Sequence, residues 1–338
     1  MNTVNLNIND ADYELPFHLS EQQKKVSSQI EMKSRENDVL VEAVCGAGKT
    51  ELVLETIKRA LKENKKVVWA IPRRQVVLQL TERLNKAFKN INVIAVCEGY
   101  TTIVDAPLII CTTHQLYRYY KSIDCLILDE PDAFPYKNNK MLNHFAKNAV
   151  VGNIIYLTAT PSKEHRKLVR KNKLEHVTLF ARPFNNPLIL PEVSMHIQGL
   201  IPFYLNKLLK NQTHQTLLFV PSIQKAMKYS KRFKIPYITS KSENKEEIIH
   251  QFMQGEFQFL LCTTILERGV TFSNVHVIVI EANHPVFDTA SLIQISGRVG
   301  RDKKYPNGKC YFLLYEKSKE VNECISLISQ ANHSVYGV

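Results

Sequence analysis

The segment Cys45-Gly46-Ala47-Gly48-Lys49-Thr50 has the residue types of a phosphate cradle. Gly46 and Gly48 let backbone N–H groups converge on phosphate oxygens. Lys49 supplies a charge that reaches the β and γ phosphates, and the Thr50 hydroxyl suits Mg²⁺. Ala43 stands where the strict G-x-x-x-x-G-K-[ST] pattern begins with glycine, and by itself the segment also reads as a tight turn before a helix. A second cluster, Asp129-Glu130-Pro131-Asp132, follows the apolar run Cys125–Leu128. Carboxylates delivered at the end of a buried strand suit metal-assisted phosphoryl transfer, with Asp129 holding Mg²⁺ and Glu130 orienting or deprotonating the attacking water. Acidic pairs at strand ends are also common surface features; the glycine loop upstream is what gives this one weight.

Both clusters need strands to carry them. Short apolar runs recur between amphipathic, helix-like segments: Val39–Val44, Lys66–Ile71, Leu108–Cys111, Cys125–Leu128 and Ile154–Leu157, then Thr216–Val220, Tyr237–Thr239, Phe259–Cys262, Val275–Ile280 and Cys310–Leu314. Continuous apolar runs that end at polar clusters predict parallel α/β sheets. The phosphate loop opens a predicted helix over ELVLETIKRALKEN. Ala181–Pro191, with three prolines and paired asparagines, fits neither a regular helix nor a central strand. The expected division is an arm at 1–18, a first domain at 19–180, a linker at 181–199 and a second domain at 200–338.

The 338 residues hold 44 Lys+Arg against 32 Asp+Glu, a formal charge of +12. With 44% hydrophobic and 22% charged residues, neither a disordered chain nor a membrane bundle is expected. The charge favours a polyanionic partner without identifying one. No two of the seven cysteines have C-x-x-C spacing, so no zinc site is expected. Cys45, close to Lys49 and a helix start, is expected to be the most reactive thiol, although a small residue suited to the loop is the plainer account. The N-terminal residues show no basic segment followed by an apolar run, and a cytoplasmic location is expected.

Further motifs follow in fixed order: Pro72-Arg73, Thr112-Thr113-His114-Gln115, Thr158-Ala159-Thr160, Phe219-Val220-Pro221-Ser222, Thr263-Thr264-Ile265-Leu266-Glu267-Arg268-Gly269-Val270 and Gln294-Ile295-Ser296-Gly297-Arg298-Val299-Gly300-Arg301. The series resembles superfamily 2 helicases and translocases, beginning with an adenine-reading element near Leu19–Gln23. The resemblance implies an α/β fold of two tandem RecA-like domains with parallel sheets, ATP and Mg²⁺ in the cleft, and nucleic acid across the opposite edge. It implies that Gln23, Cys45, Gly46, Ala47, Gly48, Lys49, Thr50 and Gly269 line the nucleotide, with Mg²⁺ at Thr50 and Asp129. The hydrolytic set it implies is Lys49, Asp129, Glu130, Gln294, Arg298 and Arg301. Thr158, Ala159 and Thr160 would couple nucleotide state to the track. Arg73, Thr112, Thr113, Ser222, Thr263 and Thr264 would grip it, although a solvated helix start accounts equally for Arg73 and Arg74. Phe134 and Tyr136 suit either base stacking or a packed cluster.

More narrowly, LDEPDAFPY from Leu128, YLTATP from Tyr156 and TTILERGVTF from Thr263 resemble the bacterial late-competence ATPase family ComFA, without its N-terminal four-cysteine zinc module. That resemblance implies a cytoplasmic ATPase, peripheral at the inner face of the cell membrane, that translocates single-stranded DNA during uptake. The implied partners are single-stranded DNA, a phosphoribosyltransferase-like competence protein (ComFC) and the uptake channel, and self-association is compatible with it. A superfamily 2 helicase of repair or replication restart is the alternative. Because contacts to phosphate carry no sequence information, binding to single-stranded DNA should be nearly sequence-independent and fall steeply with salt. Titration at several salt concentrations should give a log–log slope of about −0.7 per phosphate contact, and Arg73→Ala should weaken all sequences alike.

Overall fold

The computed structural model describes residues 11–184, 186–267, 270 and 272–337. Gly269, expected at the nucleotide, lies outside the described residues. The chain divides into two compact units, with the boundary between Leu179 and Phe180.

In the first unit the apolar runs become β1 (Val39–Ala43), β2 (Val67–Ile71), β3 (Val93–Val96), β4 (Leu108–Thr112), β5 (Ile123–Asp129), β6 (Val150–Thr158) and β7 (Glu175–Leu179). They form one parallel sheet in the order β3-β4-β2-β5-β6-β1-β7. Both β1 and β2 are buried along their whole length, as strands covered on two faces must be. The helices are α1 (Glu21–Lys33), α2 (Lys49–Leu52), α3 (Leu54–Lys62), α4 (Arg74–Ala87), α5 (Lys140–Ala149) and α6 (Lys163–Arg170). The helix expected after the phosphate loop is thus interrupted at Val53. Since every strand runs the same way, all the loops that follow strands lie along one edge of the sheet, where ligands of such folds bind.

The expected arm is part of this unit from Ala11 onward. Ala11 is buried, Tyr13 lies 5.5 Å from Phe88 ring to ring, and the Glu14 N–H donates to the Ala87 carbonyl.

The second unit holds β8 (Glu192–Met195), β9 (Gln215–Phe219), β10 (Tyr237–Ile238), β11 (Phe259–Cys262), β12 (Val275–Ile280) and β13 (Cys310–Leu314). They pair in parallel in the order β10-β11-β9-β12-β13-β8. Its helices are α7 (Ile201–Lys210), α8 (Ile223–Phe233), α9 (Lys245–Met253), α10 (Thr289–Ser296) and α11 (Lys319–Tyr336). The stretch expected as a linker is built into this unit instead. Strand β8 pairs with β13, and the Leu188 amide exchanges two 2.9 Å hydrogen bonds with the Asn332 side chain on α11. No described helix is long and apolar enough to cross a membrane.

Strand β5 meets β6 through a register shift between Ile123 and Cys125. Gly152 sits at this irregularity, where a Cβ would lie 2.0 Å from the Asp124 carbonyl oxygen. Gly152→Ala should therefore force the two strands apart and cost about 1–3 kcal/mol. Chemical denaturation checks this: a loss of midpoint is expected for Gly152→Ala, and none for Gly199→Ala, where an added Cβ meets nothing within 4 Å.

Candidate functional site

The loop between β1 and α2 is anchored at its start by the Val44 N–H, which donates to the Leu179 carbonyl of β7 (3.1 Å), and turns on the Ala47 N–H to the Val44 carbonyl (3.1 Å). Gly46 and Gly48 both have φ of +83°, a conformation costly for residues with a Cβ. At Gly48 the restriction is doubled, since a Cβ would lie 2.6 Å from Gln23 Nε2 and 3.0 Å from Glu51 Oε2. Two left-handed glycines followed by Lys49 and Thr50 at the first turn of α2 form a donor set that fits a nucleotide phosphate chain.

Gln23 is brought to this loop as expected, by a buried grip on its backbone. The Gln23 amide completes a capping box with Ser20 at the start of α1, accepting from the Ser20 N–H at 3.0 Å, and its Nε2 donates to the Ala47 carbonyl at 2.9 Å. Beneath the loop, buried Glu51 pairs with the half-exposed Arg83 of α4, whose partial loss of water lowers its pKa from the usual arginine value. A cavity of about 570 Å³ adjoins Thr50, walled by Leu15, Phe17, Leu54 and Arg83. Cys45 is buried, as are the other six cysteines. The greater exposure that would set it apart as a reactive thiol is therefore missing.

Asp129 ends β5 opposite Leu157 of β6. Glu130 follows with φ of +52°, held there by its N–H to the Leu157 carbonyl and its carbonyl from the Ala133 N–H, both 2.9 Å. Asp132 then turns back across the strand ends. Its carboxylate accepts from the Thr158 hydroxyl at 2.5 Å and from the Thr160 hydroxyl at 2.7 Å, while the Thr160 N–H donates to the Thr158 oxygen at 2.9 Å. The carboxylate loop and the Thr158-Ala159-Thr160 turn are thereby one hydrogen-bonded body. Tyr136 is buried in the core, whereas Phe134 is 89% exposed.

In the second unit Gln294 lies buried on α10, and Arg298 is buried and donates to the Val270 carbonyl. Arg301 is half-buried, with its Nε donating to the Gly297 carbonyl at 2.7 Å. The element that shapes this turn is Arg182, which sequence reasoning assigned to a linker. Its buried guanidinium donates to the carbonyls of Val299 (3.0 Å), Gly300 (2.7 Å) and Gly297 (3.2 Å). A lone arginine in a proline-rich stretch gives no sequence signal for such a role.

The residues expected on the nucleic-acid track divide. Arg73 is the half-exposed residue ahead of α4, and Thr112 is half-exposed at the end of β4. Thr113 is instead buried, so its hydroxyl has no route to a strand on the surface. Ser222 caps α8 by accepting from the Lys225 N–H at 3.2 Å, and Thr263 precedes a 3-10 turn that begins at Thr264. Arg74 is committed to the Glu98 carbonyl at 2.9 Å and to the face of Tyr100.

Residues 16–163 match the family described as type III restriction enzyme, res subunit, and residues 200–303 match the helicase conserved C-terminal domain. Competence protein ComFA of Streptococcus pneumoniae is 36% identical over 332 residues, covering 92% of this chain and 76% of that protein. Its Bacillus subtilis namesake is 34% identical over 336 residues, covering 93% and 72%. Among solved structures, S. cerevisiae Dbp5 bound to RNA and ADP BeF3 superposes with a TM-score of 0.66 at 16% identity, covering 93% of this chain and 91% of that one. The likeness at that identity is one of fold.

Losing Arg182 takes its donor from the carbonyls of Val299 and Gly300, while that of Gly297 keeps the bond from Arg301. Arg182→Ala should cost about 1–3 kcal/mol for each carbonyl left without a donor. Lysine, a single point donor, should recover only part of this. Urea unfolding of the second unit's transition measures both.

Proposed function

The chain belongs to the ComFA family and is an ATP-hydrolysing, helicase-like enzyme; on that premise we propose that it is an ATP-driven single-stranded DNA translocase serving DNA uptake in natural transformation. The observation that carries this reading is the hydrogen-bonded union of Asp132 with Thr158 and Thr160 beside a phosphate loop that only glycine can build. A hydrolase alone needs Lys49, Thr50, Asp129 and Glu130. A motor also needs the turn after β6 to feel changes at the carboxylates, and Asp132 gives it a direct bond to do so.

In this reading Lys49 and the loop N–H groups hold the phosphate chain, Thr50 and Asp129 hold Mg²⁺, and Glu130 positions a water and takes its proton. Bound ATP·Mg²⁺ supplies the transferable phosphoryl group and neutralises its charge. Gln294, Arg298 and Arg301 complete the set from the second unit, arginine being suited by its planar fork to charge on a transferring phosphoryl group. Single-stranded DNA, a ComFC-type partner and the uptake channel are the proposed clients, at the inner face of the membrane.

Steady-state ATPase with single-stranded DNA, duplex DNA, RNA and no nucleic acid tests the reading. Stimulation should be greatest with single-stranded DNA, and equal rates in all four would defeat it. Lys49→Ala should abolish turnover. Glu130→Gln should bind nucleotide without hydrolysing it. Arg301→Ala should lower kcat by about 10³-fold or more with a far smaller change in nucleotide affinity.

A further inference from the structure

Beyond the Thr112 and Thr113 loop, a 3-10 turn (Thr113–Arg118) descends the side of the first unit. In such a turn residues three apart eclipse. Thr113, Leu116 and, just past the turn, Tyr119 accordingly face inward and are buried. The same spacing turns Tyr117, Arg118, Tyr120 and Lys121 outward, with Tyr117 54% and Tyr120 69% exposed. Each exposed ring carries a cation: the Arg118 guanidinium carbon lies 5.1 Å from the centre of Tyr117, and Lys121 Nζ lies 5.6 Å from that of Tyr120.

The backing is rigid. The Tyr119 hydroxyl donates to the Val104 carbonyl at 2.9 Å. The backbone N–H groups of Lys121 and Ser122 donate to the carbonyls of Asn148 and Ala149 at 2.8 and 2.9 Å. Phe145 of α5 supports Tyr117 from behind, ring centres 6.2 Å apart. The charge is one-sided as well. Between Asp105 and Asp124, and again between Asp132 and Glu164, the sequence contains no Asp or Glu, while the same stretches hold Arg118, Lys121, Lys137, Lys140 and Lys147.

We infer that Tyr117 and Tyr120, with Arg118 and Lys121, form a stacking platform for single-stranded DNA that extends the track beyond the loop after β4. The inference rests on the DNA-translocase reading and adds to it the residues that hold bases. Exposed rings on a fixed backbone accept the π-face of any base, and the neighbouring cations meet the phosphates between them, a combination that binds single strands without regard to sequence. The carboxylate near this surface, that of Asp105, is paired with Lys66 at 2.6 Å. At about 2 Å per residue, Tyr117 to Tyr120 spans about 6 Å, the reach of one or two nucleotides.

The test uses the full chain and fluorescence anisotropy with labelled oligo(dT) and an abasic oligonucleotide of equal length. The wild type should prefer oligo(dT). Tyr117→Ala and Tyr120→Ala should each weaken that binding by about 5- to 100-fold and together erase the preference over the abasic strand. Tyr→Phe at both positions should restore it, and ATPase without DNA should stay at the wild-type rate. Unchanged affinity and preference in the double alanine variant, with DNA-stimulated ATPase intact, would overturn the platform and leave the translocase reading standing. Absence of any DNA binding by the wild type would instead remove the reading on which it rests. Loss of binding to phosphatidylserine-containing vesicles with oligo(dT) affinity kept would assign the surface to a membrane and overturn the inference.

Discussion

The Asp132 carboxylate, accepting one hydroxyl from Thr158 and one from Thr160, is the constraint on which the first unit's chemistry depends. A buried carboxylate is costly without donors, and these two satisfy it at the short distances typical of charge-assisted hydrogen bonds. By fixing Asp132 they also fix the turn that begins at Glu130. Glu130 itself occupies a left-handed backbone conformation that costs on the order of 1–3 kcal/mol in a residue with a Cβ. Strain of that size persists only where the surroundings over-determine it, and here the Leu157 carbonyl, the Ala133 N–H and the Asp132 bonds do so.

The phosphate loop has a comparable dependence on groups outside its motif. Gln23 holds the Ala47 carbonyl, and Gly48 leaves the space that the Gln23 amide and the Glu51 carboxylate occupy. Glu51 in turn is paired by Arg83 from α4. The loop's far anchor is the Leu179 carbonyl at the end of β7. The chain passes directly from that residue through Phe180 and Ala181 to Arg182, which shapes the turn bearing Arg301. A short covalent path thus joins the support of the phosphate loop to the support of the arginine turn, although each set of bonds lies within its own unit.

Much of this was legible in the sequence because the signals were local. Continuous apolar runs marked the buried strands, and the glycine loop between β1 and α2 requires its residue types wherever it occurs. Strands β7 and β8 escaped because they lie at sheet edges, where thinner cover removes the continuous apolar run: β7 reads EHVTL and β8 reads EVSM, whereas the edge strand β3, VIAV, is apolar throughout but only four residues long. The prolines around β8 suggested a linker, yet they flank an edge strand that needs fewer backbone donors. Arg182, the Gln23–Ala47 bond and the burial of Thr113 depend on distant partners and have no local signature. For Phe134 and Tyr136 the composition left stacking and packing equal, and burial separated them, with Tyr136 in the core and Phe134 exposed.

The hydroxyl residues raise a broader point about how such a protein would hold a strand in the proposed role. Ser222 spends its oxygen on capping α8, Thr158 and Thr160 spend theirs on Asp132, and Thr113 buries its own. Of the hydroxyls expected to grip phosphates, those of Ser222 and Thr113 are thus turned to the protein itself, as are the coupling hydroxyls of Thr158 and Thr160. In the proposed role a grip on nucleic acid then draws more on the backbone N–H groups those loops present and on exposed cations and rings. Those are also the contacts a motor requires. Base-edge hydrogen bonds would bind some steps of the strand more tightly than others, and each favoured register would become a trap. Phosphate attraction and stacking vary little from one nucleotide to the next, so a strand held by them can advance without pausing at preferred sequences.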